Sequence, residues 1–428
     1  MSAVSPDPGD RAAVLDLYRR HVSAGQARLA RLMDLPLECR SEGCLVYDEH
    51  DRPYLDCGGY GVFLMGHRHP EVVRAVRDQL DRHPLTTRVM LNGQLAAAAA
   101  ELAAVAPDGL DFVAFTNSGA EAVEVAIKLA RLHGKRRLIA THGGFHGKTM
   151  GALSVTGRRV YQDPFLPLLP DVEFVPFGDP VALEAALGGT AGEACVILEP
   201  VQAEGGVRIP PDGYLRAVRE VTSRHGALLV LDEIQCGLGR LGAWWGADRE
   251  GIVPDVLLAG KALGGGVVPV GALLATPEVF APLSADPFLH SSTFAGNPLV
   301  MAAVRAAVRV IAGEDLPAKA CRLGGRLLTE LRQRLLAACP ELVVEVRGVG
   351  LLLGIEMASP AAAAELMLGL LRRQVVVCHS LNAQEVVRLT PPAGLTAAQC
   401  EWLYAAVSEA AAALTSRKRA HTQEEDRR

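Results

Sequence analysis

The chain has 428 residues, of which 50% are hydrophobic and 21% charged, with a formal net charge of −5. This length suits a large α/β domain and a smaller one, and the interspersed charges leave no basic stripe for nucleic acid. Nine cysteines, an odd number without a C-x-x-C pair, argue against a disulfide framework and a zinc site and predict a reducing cytoplasm. No secretory pattern opens the chain and no apolar run is long enough to span a bilayer, so we expect no membrane partner.

The first region, residues 1–69, is predicted as an N-terminal segment that packs with a small domain. A rough helical stripe of apolar residues indicates one helix up to about residue 30. Residues 44–47 and 53–56 are predicted as two short strands joined by a polar turn.

Residues 70–315 are predicted as a large domain in which helices alternate with bare apolar runs. These runs lack polar alternation and lie at 112–115, 137–140, 194–198, 227–231 and 256–259. Strands that are buried on both faces have this composition. We therefore expect a mostly parallel sheet wrapped by helices.

Residues 316–414 are predicted as a smaller α+β domain. Two long helical stretches are separated by strand-like segments at 343–355, 375–378 and 386–389. The remaining residues, 415–428, are charged and lack apolar periodicity. That composition predicts a disordered tail.

A cofactor-carrying lysine can be sought by elimination, because the chain has only six lysines. Lys261 follows the apolar run 256–260 and precedes the glycines 264–266. A lysine at the end of a buried strand loses solvation, which lowers its pKa and makes it a better nucleophile. The alternative, a strand-end lysine that reaches solvent, is equally compatible with this local pattern.

A second apolar strand, 228–231, ends in the adjacent carboxylates Asp232 and Glu233. Residues at strand ends face the ligand crevice of an open α/β sheet. The pair alone also fits a metal-binding acid of a P-loop enzyme or a helix N-cap. If this strand lies near the one that ends at Lys261, however, a buried carboxylate can keep the nitrogen of a pyridine ring protonated, so that the ring accepts electrons.

Two glycine-containing segments fit a phosphate and a flat ring. Residues 116–121 follow a strand and open a helix, whose N-terminal N–H groups suit a phosphate, although an ordinary N-cap explains the same letters. Phe145 lies in the segment 143–149, where an aromatic ring could stack on a cofactor. The end of that segment, Gly147-Lys148-Thr149, resembles a P-loop, but His142 occupies the position of the first glycine. A nucleoside triphosphatase is therefore disfavoured.

Together these motifs resemble the class III, or ω-type, aminotransferases of pyridoxal-phosphate (PLP) fold type I, over residues 37–413. The most specific segments are 231–235, 237–240 and 260–266. The resemblance implies PLP as cofactor, a Schiff base on Lys261, Asp232 at the pyridine nitrogen and Gln235 near the phenolic oxygen. It also implies a set of further cofactor contacts: the phosphate turn Ser118, Gly119 and Ala120, the stacking ring Phe145 with His146 beside it, and the acid Glu199. Thr293 resembles a residue that reaches the cofactor phosphate of the neighbouring subunit, which implies a homodimer, or a tetramer of paired dimers.

The resemblance also implies a substrate site. Arg388 matches the arginine that grips a substrate carboxylate, and Glu204 matches an acid that covers this arginine when no carboxylate is present. Tyr60 is expected to be a third substrate-binding residue. A permanent salt bridge between Arg388 and Glu204 is the structural alternative. Residues 57–63, 164–170 and 264–269 look most like putrescine aminotransferase.

The predicted function is amino-group transfer from a diamine or amino acid to a 2-oxo acid such as 2-oxoglutarate, with ping-pong kinetics. The chain departs from the family pattern at four positions: Ala203, Cys236, Ala295 and Ala393. A PLP-dependent lyase or synthase on the same scaffold is therefore the second hypothesis. A binding protein with a relic site is the third, and the retention of both Lys261 and Asp232 argues against it.

Overall fold

The N-terminal region of the computed structural model, which describes residues 9–189 and 192–425, contains two helices rather than one. Helix α1 spans Arg11–Leu17, a π-helical turn spans Tyr18–Val22, and α2 spans Ala24–Leu32. The prediction of a single helix is wrong because Ser23 is extended, with φ −162° and ψ 117°, and caps α2 by accepting a hydrogen bond from the amide of Gln26.

A small sheet joins the N-terminal segment to the C-terminal part of the chain. Strands β1 (Glu38–Glu42), β2 (Leu45–Asp48) and β3 (Pro53–Asp56) are antiparallel neighbours, and β2 and β3 are the two predicted strands. Strand β13 (Val375–Val376) lies parallel to β3. The N-terminal segment is thus hydrogen-bonded to residues more than 300 positions away.

The central sheet has seven strands in the order β4-β10-β9-β8-β7-β5-β6. Its strands are β4 (Phe112–Thr116), β5 (Arg137–Thr141), β6 (Val172–Val175), β7 (Ala194–Leu198), β8 (Leu228–Asp232), β9 (Val256–Ala259) and β10 (Gly271–Ala275). Strand β10 runs antiparallel to both of its neighbours, β4 and β9, whereas the other neighbouring pairs are parallel. All five predicted runs lie in this sheet, whereas β6 and β10 were not predicted from the sequence.

Helices alternate with the strands of the central sheet. They are α3 (Pro70–Arg82), α4 (Gly93–Ala103), α5 (Gly119–Leu132), α6 (Met150–Ser154), α7 (Arg159–Gln162), α8 (Pro180–Leu187), α9 (Tyr214–Arg224), α10 (Pro277–Ala285) and α11 (Pro298–Gly313). Successive strand residues enter different hydrophobic clusters: Leu138 and Ile197 pack with α5, while Ile139 and Leu198 pack on the opposite face. Burial on both faces explains why these strands lack polar alternation.

The C-terminal part forms a separate antiparallel sheet with three helices. Its elements are α12 (Leu316–Ala338), β11 (Val343–Val349), β12 (Leu352–Met357), α13 (Pro360–Leu371), β14 (Cys378–Ser380), β15 (Ala383–Leu389) and α14 (Ala397–Glu425), with strand order β11-β12-β15-β14. The predicted fold class, a mostly parallel sheet wrapped by helices with a smaller α+β part, is confirmed. The boundaries at 69/70 and 315/316 stay predictions.

Helix α14 continues to Glu425, through most of the segment for which the sequence predicts a disordered tail. Alanine, glutamine, glutamate, lysine and arginine are strong helix formers, so the segment can extend a helix that has already begun. Residues 426–428 lie outside the described residues. Within the described ranges, no helix combines the length and the apolar character needed to cross a membrane.

Candidate active site

A cavity of about 250 Å³ lies where the carboxyl ends of the central parallel strands meet. Segments that follow β4, β5, β7, β8 and β9 each contribute to it, as expected for the ligand crevice of an open α/β sheet. Its lining residues are Gly119, Ala120, Phe145, His146, Gly147, Glu199, Ala203, Glu204, Asp232, Ile234, Gln235 and Lys261. Nine of the residues selected from the sequence therefore share one cavity.

Asp232, the last residue of β8, forms a buried pair with His146. Its Oδ2 lies 2.7 Å from His146 Nδ1, and its Oδ1 accepts a hydrogen bond of 3.1 Å from the amide of Ile234. Burial lowers the pKa of His146, but the hydrogen bond and charge of Asp232 and the charge of Glu199 raise it to above its ordinary value. The pair therefore presents an oriented carboxylate to the cavity.

Glu199 connects two loops at the cavity wall. Its Oε1 accepts a hydrogen bond of 3.0 Å from the amide of Phe145, and its Oε2 accepts one of 3.2 Å from the amide of Ala203. Burial raises the pKa of Glu199 to about 7, against the opposing charge of His146 and these two hydrogen bonds. Glu199 thus orients the backbone of Phe145 and can exchange a proton near neutral pH.

Lys261 begins a 3-10 helical turn, Lys261–Gly264, directly after β9 and Gly260. Its φ of +49° lies in the left-handed region, which is costly for a residue other than glycine. A hydrogen bond of 3.0 Å from the amide of Leu263 to the carbonyl of Gly260 holds this turn. Burial lowers the pKa of Lys261 to about 8, with Arg388 lowering it and Glu204 raising it.

The helix α5 begins at the cavity, with Ser118 as its N-cap. Ser118 Oγ accepts a hydrogen bond of 3.2 Å from the amide of Glu121, while Gly119 and Ala120 line the cavity. A Cβ atom at position 119 would lie only 2.7 Å from Ile234 Cδ1. The close approach requires glycine and leaves the first amides of α5 available to an anion.

Gln235 has an unused side-chain amide in the cavity. Both Gln235 Nε2 and Oε1 are buried without a hydrogen-bond partner among the described residues. Gly61, which has a φ of +78°, approaches so closely that a Cβ there would lie 2.5 Å from Gln235 Nε2. Because an unpartnered buried amide is costly, this group is suited to a hydrogen bond with a bound ligand.

Arg388 and Glu204 lie together at the edge of the cavity. Strand β15 carries Arg388, which is completely buried, and its Nη1 is 2.5 Å from Glu204 Oε1. Arg388 Nη2 donates to Cys378 Sγ at 3.5 Å, and the guanidinium carbon lies 5.8 Å from the centre of the half-exposed Tyr60 ring. The pair exists as expected, but a switch and a permanent bridge would both produce it.

Thr293 lies apart from this cavity. It is exposed in the segment between α10 and α11, and it is not among the lining residues. The preceding residue, Ser292, accepts a hydrogen bond of 2.9 Å from Asn117 Nδ2, beside the N-terminus of α5. The predicted contact of Thr293 with a neighbouring subunit's cofactor stays a prediction.

Sequence reasoning did not select Asn382, Leu381 or Tyr161. The amide of Leu381 donates to Glu204 Oε2 at 2.9 Å, and Tyr161 Oη donates to the carbonyl of Leu381 at 2.8 Å. An Asn before a strand indicates only a turn, so no local signal revealed these contacts.

Among the residues that the structure describes, no group of three or more His, Cys, Asp or Glu side chains could hold a metal ion.

The chain is similar to known proteins over most of its length. A model of the family described as Aminotransferase class-III matches residues 33–411. The structure resembles an ornithine aminotransferase from Toxoplasma gondii, a protein with PLP at its active site, with a TM-score of 0.88 and 30% identity over 96% of each chain. It also resembles an (S)-enantioselective ω-transaminase from Thermomicrobium roseum, with a TM-score of 0.87 and 28% identity over 95% of this chain and 99% of that one. For acetylornithine aminotransferase from Elizabethkingia anophelis, the TM-score is 0.80 and the identity is 29%, over 93% of this chain and 98% of that one.

Proposed function

The chain belongs to the class III aminotransferases, and we propose that it moves an amino group from a diamine or an amino acid to a 2-oxo acid such as 2-oxoglutarate. One observation carries the substrate assignment: a buried arginine, Arg388, lies beside the cavity of Lys261 and is covered by an acid of the same chain, Glu204. A site of this kind suits both a substrate with a carboxylate and one without it.

The cofactor of the enzyme is PLP, and the cavity fits it. Asp232 offers a carboxylate for the ring nitrogen, Gln235 an amide without a protein partner, and Gly119 a close backbone approach at the start of α5. When bound, PLP supplies an aldehyde that takes up the amino group and a ring that delocalises electrons from the substrate carbon.

The side chains have distinct roles in this proposal. Lys261 Nζ holds the cofactor and moves the proton at the substrate carbon, for which a lowered pKa of about 8 is suitable. Asp232, oriented by His146, keeps the ring nitrogen protonated. Phe145 would stack on the cofactor ring, and Glu199 fixes the backbone that carries Phe145.

Arg388 and Glu204 adapt the site to two unlike substrates. The planar guanidinium can grip the carboxylate of a 2-oxo acid through two parallel hydrogen bonds. A carboxylate-free amine would leave this buried charge unpaired, which is costly, and Glu204 compensates it. The similar ornithine and acetylornithine aminotransferases are named for amino acids, and a putrescine-like amine is the donor favoured here.

We also propose that the active unit is a homodimer. Two loops in mutual contact expose large apolar side chains, namely Val89, Met90, Leu91, Phe288 and Phe294. Arg88 Nη1 donates to the carbonyl of Ala295 at 3.0 Å, and Asn92 Nδ2 donates to that of Gly296 at 3.2 Å, which joins the loops into one surface. An exposed apolar surface of this kind is typical of a protein interface.

A spectral titration of the purified enzyme tests the proposed function. We expect amines and amino acids that serve as donors to change the absorbance of the bound cofactor, and a 2-oxo acid to restore it. Putrescine should act as a donor although it has no carboxylate. Repeated turnover of the amino substrate in the absence of a 2-oxo acid would instead show a lyase or synthase, because an aminotransferase stops after one half-reaction.

A further inference from the structure

The turn between β14 and β15, residues 380–382, contacts two loops of the cavity wall. Ser380 Oγ donates to the carbonyl of Ala203 at 3.4 Å, and the amide of Asn382 donates to the carbonyl of Glu204 at 2.9 Å. Asn382 Nδ2 donates to the carbonyls of Gly143 and Gly144 at 2.8 and 3.2 Å. The 380–382 turn therefore connects the loop of Glu204 with the loop that precedes Phe145.

Each carboxylate oxygen of Glu204 has its own partner. Its Oε1 lies 2.5 Å from Arg388 Nη1, and its Oε2 accepts the hydrogen bond of 2.9 Å from the amide of Leu381. Glu204 is only 4% exposed, so each partner is important for holding its charge. The covered state of Arg388 thus depends on the position of the 380–382 turn.

The side chain of Asn382 holds the 380–382 turn in position through its amide nitrogen, Nδ2. Asn382 is 5% exposed, and its Oδ1 has no partner among the described residues, so its Nδ2 alone anchors the side chain. The two loops also touch, since a Cβ atom at Gly205 would lie 2.9 Å from the carbonyl oxygen of Gly143. On the outer side, Tyr161 and Arg158 hydrogen-bond to the carbonyls of Leu381 and Asn382.

We propose that Asn382 is a positioning residue that sets the substrate preference of the enzyme, an inference that rests on the proposed roles of Arg388 and Glu204. By holding the turn against Gly143 and Gly144, Asn382 keeps the amide of Leu381 on Glu204 and stabilises the covered state of Arg388. A ligand carboxylate competes with that state, because it binds only when Arg388 is uncovered. Asn382 therefore weakens carboxylate binding and favours a carboxylate-free amine.

The test uses glutarate, a dicarboxylate that carries no amino or oxo group, titrated calorimetrically into the cofactor-loaded enzyme. Asn382→Ala should bind glutarate about three- to tenfold more tightly than the parent, the effect of one or two hydrogen bonds. Glu204→Gln should also bind it more tightly. In the double variant, Asn382→Ala should add nothing, because its effect passes through Glu204.

The half-reactions provide a second readout. The ratio of the rate constant for putrescine to that for 2-oxoglutarate should fall in Asn382→Ala. Tyr161→Phe, which removes one hydroxyl from the outer side of the turn, should change glutarate affinity in the same direction but less. The control is Thr222→Ala, which removes a buried hydrogen bond of 2.9 Å within α9 and should leave glutarate affinity unchanged.

Unchanged or weaker glutarate binding by both Asn382→Ala and Tyr161→Phe would overturn the proposal. Additive effects of Asn382→Ala and Glu204→Gln would also overturn it, since Asn382 would then act independently of Glu204. If the parent enzyme performs neither half-reaction, the proposed function is wrong, while the glutarate titration still decides the role of Asn382.

Discussion

Burial displaces the pKa values of the ionisable side chains around the cavity in directions that suit acid-base work. Burial lowers the pKa of Lys261 to about 8 and raises that of Glu199 to about 7. The pKa of His146 is raised despite its burial, because Asp232 pairs with it. Desolvation favours the neutral form of each group, while a nearby opposite charge favours the charged form.

The pKa of Lys261 predicts how cofactor uptake depends on pH. Only the neutral amine reacts with an aldehyde, so the rate of PLP uptake by the cofactor-free enzyme should rise with pH and level off above about 8. An ordinary lysine would still show a rise up to about pH 10.4. Absorbance stopped-flow measures the rate, and borohydride reduction followed by peptide mapping should place the label on Lys261. A label on Lys128 or Lys148 would contradict the assignment.

Asp232→Asn should retain the fold and lose turnover by at least about a hundredfold, because a neutral amide cannot keep the ring nitrogen protonated. The same change removes the charge that raises the pKa of His146. Circular dichroism checks that the fold is retained, and single-turnover kinetics measures the loss of turnover. A near-normal rate would mean that another residue has this role.

Substitutions of Arg388 and of Glu204 should affect the two half-reactions in opposite ways. Arg388→Lys should weaken the oxo-acid half-reaction by about 1.5–3 kcal/mol, the range for a hydrogen bond to a charged group. Glu204→Gln should bind the oxo acid at least as well as the parent and react less well with a carboxylate-free amine. If Glu204→Gln instead destabilises the protein and impairs both half-reactions alike, the pair is a permanent salt bridge.

At the scale of elements, close backbone contacts hold the C-terminal sheet against the rest of the molecule. Helix α12 packs on the turn between β11 and β12, where a Cβ atom at Gly324 would lie 1.9 Å from the carbonyl oxygen of Gly350. Arg240, completely enclosed, donates to the carbonyls of Leu351 and Pro391. These contacts connect the β11–β12 turn with the residues that follow Arg388.

The adjacent glycines of α12 should respond to alanine with opposite signs. Gly324→Ala should destabilise the protein by about 3 kcal/mol or more, because its Cβ would overlap backbone atoms. Gly325 is exposed with no atom near its Cβ position, so Gly325→Ala should stabilise the helix by about 0.5–1 kcal/mol. Urea unfolding of the two cofactor-loaded variants measures the difference, and equal effects would mean that α12 does not pack on this turn.

At the scale of the whole molecule, the proposed homodimer explains apolar side chains that a single chain leaves in water. Leu91 is fully exposed and Phe288 is 90% exposed. Both lie on the surface formed by the two contacting loops, one of which is hydrogen-bonded through Ser292 to Asn117 at the start of α5. Assembly on this surface would therefore bring a second subunit close to the cofactor cavity.

A charge in this surface should dissociate the assembly. Leu91→Asp should shift the sedimentation coefficient from dimer to monomer and reduce cofactor affinity, since burying an unpaired carboxylate is costly. Val344→Asp is the matched control, because Val344 is 61% exposed on β11, in the C-terminal sheet. A parent chain that sediments as a monomer at all concentrations would contradict the proposal.

Local sequence patterns were enough to predict five strands of the central sheet and the residues at their ends. An apolar run without alternation is a local pattern, and the ends of parallel strands meet at one edge, so Asp232 and Lys261 could be placed together without coordinates. The sequence did not predict β10, which has no β-branched or aromatic residue to signal a strand, or the continuation of α14 to Glu425.

The contacts that hold Glu204 over Arg388 depend on the tertiary structure and have no local signal in the sequence. Asn382 and Gly143 lie 239 positions apart along the chain, and their contact depends on how the C-terminal sheet docks on the crevice loops. A turn asparagine has the same local signature whether its amide faces solvent or two buried carbonyls. Contacts of this kind depend on packing across the whole molecule, whereas strand patterns depend on neighbours a few residues away.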